Sequence, residues 1–529
     1  MTTVINDPEI LTDDNANEVD DAPDNYVDDI DYGDDDEEPI TIDTAPQEVL
    51  YEYLPWVKER LNWPKSQIPR PYQVDGALWF QDQKRAMIFD QPGLGKTLQG
   101  SLALTVPAII SCPGYLVHQW CDFLELEYPQ WRIARIHGAL SRAKRQELLD
   151  DPEYDVYVLN HEMWALRREP YKGGPEPKRS DPDYSYSRWW DWKESKAAHK
   201  SSAPTITYNW PKVETIIIDE SHHFRNRKAS QSLGLFAQTR NTPNVFLLTA
   251  TPQYKDVRDW WHQLHIMDPD KYSAYWRWCD KYVRFSGENN SIVKVYSYMV
   301  KELQAEIGKL AIGRTYDDVG LYLPDIIEMP VRIDWHPDLY KHYKSLRDKY
   351  AILTNNGKEI DFDPMSVLRV LRILTANPQK TDLVKQIIED TPGDEPIICF
   401  CWYRDTANEL RNDLAEVTTS RYISGLYSQK ERVEFADETS SRVKCVTMSS
   451  MSEGVDWSNA STVIFYELDY VPGKVYQALS RVRRFSTTGK REPIRVYYPM
   501  LKNSVDEAVF EAYNERHGDA KRVLRRALK

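Results

Sequence analysis

Two sets of short apolar runs, well separated along the chain, constrain its fold more than any other feature. The first set is Ala86–Phe89, Ala108–Ser111, Val156–Leu159, Ile216–Ile218 and Val245–Leu248; the second is Ile397–Cys401, Val443–Thr447, Val463–Tyr466 and Ile494–Tyr498. Runs this short, with little polar alternation, suit strands covered on both faces, as in parallel sheets flanked by helices. Each is followed by turn chemistry or a polar side chain, and open α/β sheets collect ligands at the carboxyl ends of their strands. The expected fold class is therefore α/β, with two parallel-sheet lobes. The length, 529 residues, also exceeds what one ordinary core supports.

The rest of the chain divides around these sets. Residues 1–48 hold 18 of the 82 acidic residues and no Lys or Arg, which leaves 64 acids against 67 bases elsewhere. The net charge of −15 is thus local to a segment too polar to bury a core, and a disordered acidic N-terminal tail is expected. A solvating tail, an arm that mimics DNA and a protein-docking arm are all compatible with it. The first lobe is expected over 49–262, with an aromatic and basic insertion at about 166–212. In that insertion Tyr186, Arg188, Trp189, Trp190, Trp192 and Lys193 either stack on bases or pack locally. Helical protrusions without strand alternation are expected over 263–375, the second lobe over 376–515, and a basic tail over 516–529. No run of about eighteen apolar residues is present, so no membrane partner is expected. The acidic N-terminus lacks the apolar stretch of a secretory signal, and the six cysteines form no CxxC pair. A reduced, cytoplasmic setting is the expectation, with Cys399 and Cys401 as buried strand thiols.

Chemistry enters with DQPGLGKT, Asp90 to Thr97, directly after the first run. The general phosphate-loop pattern needs a glycine where Asp90 stands, but Gly93 and Gly95, with Leu94 between them, let backbone amides curl round phosphates. Lys96 is placed to neutralise the β- and γ-phosphates, and the Thr97 hydroxyl to bind Mg²⁺. In IIIDESHHF a buried strand delivers Asp219, suited to Mg²⁺ through its water shell, and Glu220, suited to orienting and deprotonating water. In LLTATP, Thr249 and Thr251 are candidates to sense the γ-phosphate and touch these carboxylates. Gln73 can read both the donor and the acceptor edge of adenine. Far downstream, VYQALSRVRR spaces Gln477, Arg481 and Arg484 at i, i+4 and i+7. That face reads as arginine fingers offered to the nucleotide by a second lobe.

In this order the motifs resemble superfamily-two helicases and, more narrowly, the Swi/Snf-type DNA translocases. That family's loop is typically DEMGLGKT, so Asp90 fits it, and DESH (Asp219–His222) stands for its Asp-Glu-Ala-His box. VLNHE resembles the strand-end segment before that box. CPGYLVHQW resembles the segment in which Pro113 and Trp120 would lie near the nucleic-acid track. SEGVDW, with Gly454 and Asp456, occupies the place of the coupling motif, and QALSRVRR that of the arginine motif. TPQYKDVRDWWHQLHIMDP and IGRTYDDVGLYLPDIIEMPV, the latter with Arg314, Leu323 and Pro324, favour the Swi/Snf branch. Departures lie at Phe485-Ser486-Thr487 and Val471-Pro472. The resemblance implies two RecA-like lobes sharing ATP and Mg²⁺, a nucleic-acid-stimulated ATPase, and double-stranded DNA as its track. It points to a small bacterial or phage member. The alternatives are a strand-separating helicase on DNA or RNA and a nucleic-acid-binding scaffold that has lost catalysis.

Overall fold

The computed structural model describes residues 69–168, 178, 189, 192–193, 205–286, 292–321, 323–355, 364–393, 395–427, 429–448, 450, 457–469, 471–483 and 493–527. The acidic segment 1–48, most of the insertion, Gly454, Asp456 and Arg484 lie outside the described residues.

In chain order the strands are β1 (Arg85–Ile88), β2 (Ala108–Cys112), β3 (Ile133–Ile136), β4 (Val156–Asn160), β5 (Arg167–Arg168), β6 (Thr205–Ile206), β7 (Thr215–Asp219), β8 (Asn244–Leu248) and β9 (Val283–Ser286). They continue as β10 (Ile292–Val295), β11 (Ala311–Ile312), β12 (Ile326–Ile333), β13 (Ile397–Cys401), β14 (Ser420–Ile423), β15 (Val443–Thr447), β16 (Thr462–Phe465) and β17 (Ile494–Leu501). One parallel sheet runs β11-β1-β8-β7-β2-β4-β3 and a second runs β12-β17-β16-β13-β15-β14. Each expected apolar run is a strand of one of these sheets, with bounds that shift at the ends.

The burial of these strands follows their period of two. Ile216 and Ile218 enter one apolar cluster of the first lobe, and Ile217 enters the other on the opposite face. In the second lobe Ile398 and Phe400 face one cluster, while Ile397, Cys399 and Cys401 face the other. All six cysteines are buried and free, and Cys399 and Cys401 lie on β13 as expected of strand thiols. Among the described residues no helix is long and apolar enough to cross a membrane.

The expectation of a strand-free helical region over 263–375 is corrected. Helices are present at Asp259–Met267, Tyr275–Tyr282, Val300–Gly308, Pro337–Asn355 and Pro364–Thr375, but so, among the described residues, are the strands β9 to β12. Strands β9 and β10 form an antiparallel hairpin, and Trp278, Tyr282, Val283, Val295, Leu303 and Ile307 join the first lobe's core. Strand β11 adds to the edge of the first sheet at β1, and β12 to the edge of the second at β17. The first half of the expected protrusion thus belongs to the first lobe, and the lobes divide between β11 and β12. Edge position explains why β12 escaped a search for apolar runs. It carries Glu328, Pro330 and Arg332 and is partly exposed along its length, as strands with one free side tend to be.

Strands β5 and β6 pair antiparallel and close the base of the insertion. Within it, the Lys193 ammonium lies 4.6 Å over the Trp189 ring. The basic end of the chain continues the helix Val505–Ala527 rather than leaving it.

Several histidines are buried as neutral rings. Burial pushes the pKa of His262 down to about 3, with His265 nearby adding to the effect. Burial likewise holds His161 well below the usual imidazole range, with His223 and His222 nearby adding to the effect. The unfolded chain binds these protons below about pH 6.5, whereas the folded chain does not. Stability is therefore full above pH 6.5 and falls as pH drops from there towards 4. His262→Phe should flatten this decline, which a series of thermal midpoints from pH 7 to 4.5 would measure. An equally steep decline in the variant would contradict the assignment.

Candidate functional site at the lobe interface

The phosphate loop spans the gap between β1 and the helix Lys96–Leu102. Its two glycines are left-handed, Gly93 at φ 82° and Gly95 at φ 76°, a region that side chains disfavour. Gly95 carries a second constraint, because a Cβ there would lie 2.2 Å from the Gln73 amide nitrogen. Gln73 in turn donates to the Leu94 carbonyl at 3.1 Å and accepts from the Arg70 backbone at 2.8 Å. Its amide, expected to face adenine, is tied through its nitrogen to the loop and through its oxygen to the start of its own helix. Lys96 Nζ donates to the carbonyls of Asp90 at 2.6 Å and Gln91 at 3.2 Å. Burial lowers the Lys96 pKa, while Glu220, Asp90 and Asp219 oppose that shift.

Asp90 and Leu94, grouped by the sequence with the nucleotide-binding residues, turn their side chains away from the cavity. The Asp90 carboxylate is fully buried, accepts from Gln99 Nε2 at 2.8 Å and pairs with Arg314 at 3.1 Å. Arg314 sits just past β11, and its backbone N–H also donates to Asp90 at 3.0 Å. Tyr316 Oη donates to the Pro92 carbonyl, and the Gln91 side chain accepts from the Tyr316 N–H at 2.8 Å. Leu94 packs on Tyr316 and Leu321. Together these contacts fasten the segment joining the lobes to the outer side of the loop. Removing one member of a buried pair strands the other's charge, at a cost of about 3 kcal/mol. Arg314→Ala should therefore lower the denaturation midpoint markedly, and a midpoint equal to wild type would refute that role.

The carboxylates come from β7. Asp219 ends the strand, and Glu220 follows in a left-handed conformation, φ 50° and ψ 50°, uncommon for a residue with a side chain. Asp219 Oδ2 accepts from Trp120 Nε1 at 2.9 Å, and its Oδ1 accepts from the Glu220 N–H at 2.9 Å. Trp120, which the resemblance puts beside the nucleic-acid track, is instead 2% exposed and braces this carboxylate. Burial, with Glu220's charge next, pushes the Asp219 pKa up to about 6. Burial would raise Glu220 as well, but its bond to His222 together with the charges of His222 and Lys96 outweighs that and holds it ionised.

Around Glu220 lies a network that crosses the lobe boundary. Thr249 donates to Glu220 Oε2 at 3.2 Å, and His222 Nδ1 lies 3.0 Å from the Thr249 hydroxyl. Thr251 meets His222 at 3.3 Å rather than either carboxylate. On the far side, His222 Nε2 lies 3.4 Å from Gln477 of the second lobe. Gln477 and Arg481 are on the helix Pro472–Val482. That helix ends at Val482, and Arg484, the expected third member of its face, lies outside the described residues.

These residues enclose a cavity of about 630 Å³. Gly93, Lys96, Thr97, Asp219 and Glu220 line one wall, and Gln477, Ser480 and Arg481 the other. An adjoining space of about 960 Å³ reaches Arg70, Tyr72 and Gln73. The oxygens offered at its centre, from Thr97 and two carboxylates, suit a hard divalent cation. Among the described residues no group of three or more His, Cys, Asp or Glu side chains could hold a metal ion.

The SNF2-related domain matches residues 72–380, and the helicase conserved C-terminal domain matches 379–486. The chain belongs to the SNF2-related family. Among curated members, the DNA annealing helicase and endonuclease ZRANB3 of Mus musculus is 21% identical over 84% of this chain and 40% of its own length. The ISWI chromatin-remodeling complex ATPase ISW1 of Saccharomyces cerevisiae is 21% identical over the same shares. The chain thus spans about two fifths of these SNF2 relatives. Among solved structures, the Sulfolobus solfataricus SWI2/SNF2 ATPase core in complex with dsDNA is 19% identical, with 87% of this chain and 93% of that one covered at a TM-score of 0.36. The Pyrococcus furiosus Hef helicase domain is 18% identical, with 84% and 98% covered at 0.46.

His222 and Tyr254 were not singled out by residue chemistry. His222 carried a signal as the last letter of DESH, and Tyr254 only its place in the TPQYKDVRDWWHQLHIMDP segment.

Proposed function

We propose that this chain is a nucleic-acid-stimulated ATPase that translocates along double-stranded DNA and remodels the DNA or protein–DNA complexes it meets. The observation that carries the proposal is the cavity with Lys96 and Glu220 on one wall and Arg481 on the other. A nucleotide there would be contacted by both lobes at once, so hydrolysis and lobe motion are linked.

In this reading the amides of the phosphate loop and Lys96 bind the β- and γ-phosphates, and Lys96 leaves its two carbonyl partners to do so. Thr97 and Asp219 would hold Mg²⁺, which offsets the charge developing on the phosphates. Trp120 keeps Asp219 aligned for that duty. Glu220, ionised and fixed by Thr249 and His222, orients the attacking water and accepts a hydrogen bond from it. Arg481 reaches the γ-phosphate from the second lobe, and Gln477 reports its approach to His222. Asp90 and Leu94 support the loop from behind. Gly454, Asp456 and Arg484 are assigned to coupling and to a second arginine contact on the pattern of residues alone.

Double-stranded DNA is proposed as the track because the named activities of the SNF2-related members it matches concern DNA and chromatin. Grip on the phosphate backbone would come from both lobes, mostly without base reading. The test is ATP turnover with duplex, single-stranded, forked and RNA ligands at one salt concentration, since such binding is strongly salt-dependent. Duplex DNA should stimulate most; stimulation by RNA alone would move the assignment to another helicase branch.

A further inference from the structure

The arginine-bearing helix of the second lobe is capped by the first. Pro472 and Gly473 open that helix, whose first N–H groups lack partners within it. The Gly473 N–H finds one across the boundary, the Tyr254 carbonyl at 3.1 Å. The approach is possible only because residue 473 has no side chain. A Cβ there would lie 2.4 Å from Tyr254 Cδ2 and 2.8 Å from two further ring atoms. The ring cannot readily yield. It stacks on His222 with centroids 4.7 Å apart and planes 4° from parallel, and the Arg225 guanidinium lies 4.5 Å from its centre. Backbone conformation does not explain the glycine, since it lies in the first turn of a right-handed helix, where alanine is the better former.

We propose that Gly473 and Tyr254 form the closing contact between the lobes, and that Tyr254 is a positioning residue passing closure to Glu220 through His222. When the lobes meet, Gly473 seats on the ring, the helix gains its cap and Arg481 is carried to the cavity wall. The same ring fixes the plane of His222, which is 3.3 Å from Glu220 Oε2. Closure and alignment of the carboxylate thus meet at one residue, closure through the Tyr254 carbonyl and alignment through its ring. This inference rests on the ATPase reading for its kinetic consequence, but its structural part stands apart from it.

The test separates the two. All six native cysteines are buried, so cysteines introduced at exposed Glu153 and Glu416, one on each lobe, can carry a donor–acceptor dye pair. With a slowly hydrolysed ATP analogue bound, Gly473→Ala should shift the pair to a more open distance. Its DNA-stimulated kcat should fall by about tenfold or more, with a smaller change in KM and no loss of thermal midpoint. Tyr254→Ala alone should keep the closed distance and lower kcat, and adding Gly473→Ala to it should change neither further. An unchanged distance in Gly473→Ala, or independent effects that multiply in the double variant, would overturn the proposal. If the distance responds as expected in a chain that shows no ATP turnover, the contact stands and the ATPase reading fails.

Discussion

Glu220→Gln is expected to lower DNA-stimulated ATP turnover by about 10²–10⁴-fold while leaving nucleotide binding and stability close to wild type. The substitution keeps the size of the side chain and its left-handed backbone, so no new strain is added. What it removes is the negative charge that His222 and Lys96 together preserve against burial. A neutral amide can still accept from Thr249, but it cannot stabilise a water losing its proton. Lys96→Ala should fail differently. It takes away the cation that meets the phosphates, so nucleotide affinity should fall together with turnover. Single-turnover hydrolysis and equilibrium binding of a fluorescent ATP analogue distinguish these outcomes. Near-normal turnover in Glu220→Gln would refute its role.

Arg481→Ala carries the second large effect. A cation supplied across an interface to a transferring phosphoryl group accounts for about 10³–10⁵ in rate, or roughly 4–7 kcal/mol of barrier. Arg481 lines the cavity opposite Lys96, four residues after Gln477 on the same helical face. Its removal should cost about 10³-fold in kcat, with little change in ATP affinity, which the first lobe governs. Arg481→Lys should recover only a small part, because a point charge on a shorter stem does not reproduce the planar fork. Steady-state kcat and KM, measured at saturating DNA, decide this. A rise in KM without a fall in kcat would assign Arg481 to ground-state binding instead.

Much of this architecture could be read from residue order because its most demanding parts are local. Parallel strands covered on both faces must be apolar throughout, so β7 and β13 stand out as continuous runs. A loop that wraps phosphates needs left-handed glycines, so Gly93 and Gly95 were legible too. Edge strands obey no such demand. Two-residue β11 and charged β12 were hidden within a region that read as helical, and with them the true division of the lobes. The site divided in the same way. Lys96, Asp219 and Glu220 follow from spacing within one lobe. The pairing of Asp90 with Arg314 joins positions far apart in sequence, and only the folded chain brings them together. The stacking of Tyr254 on His222, and its contact with Gly473, likewise depend on how separate segments dock.

The central claim is that ATP turnover at the lobe interface drives movement along duplex DNA. Displacement of a triplex-forming strand from duplex DNA tests it most directly, run with ATP, without ATP, and with Glu220→Gln, beside an unwinding assay on a forked duplex. The account predicts displacement by the wild-type chain with ATP only, none by the variant, and little strand separation on the fork. Strong unwinding of the fork without triplex displacement would contradict it.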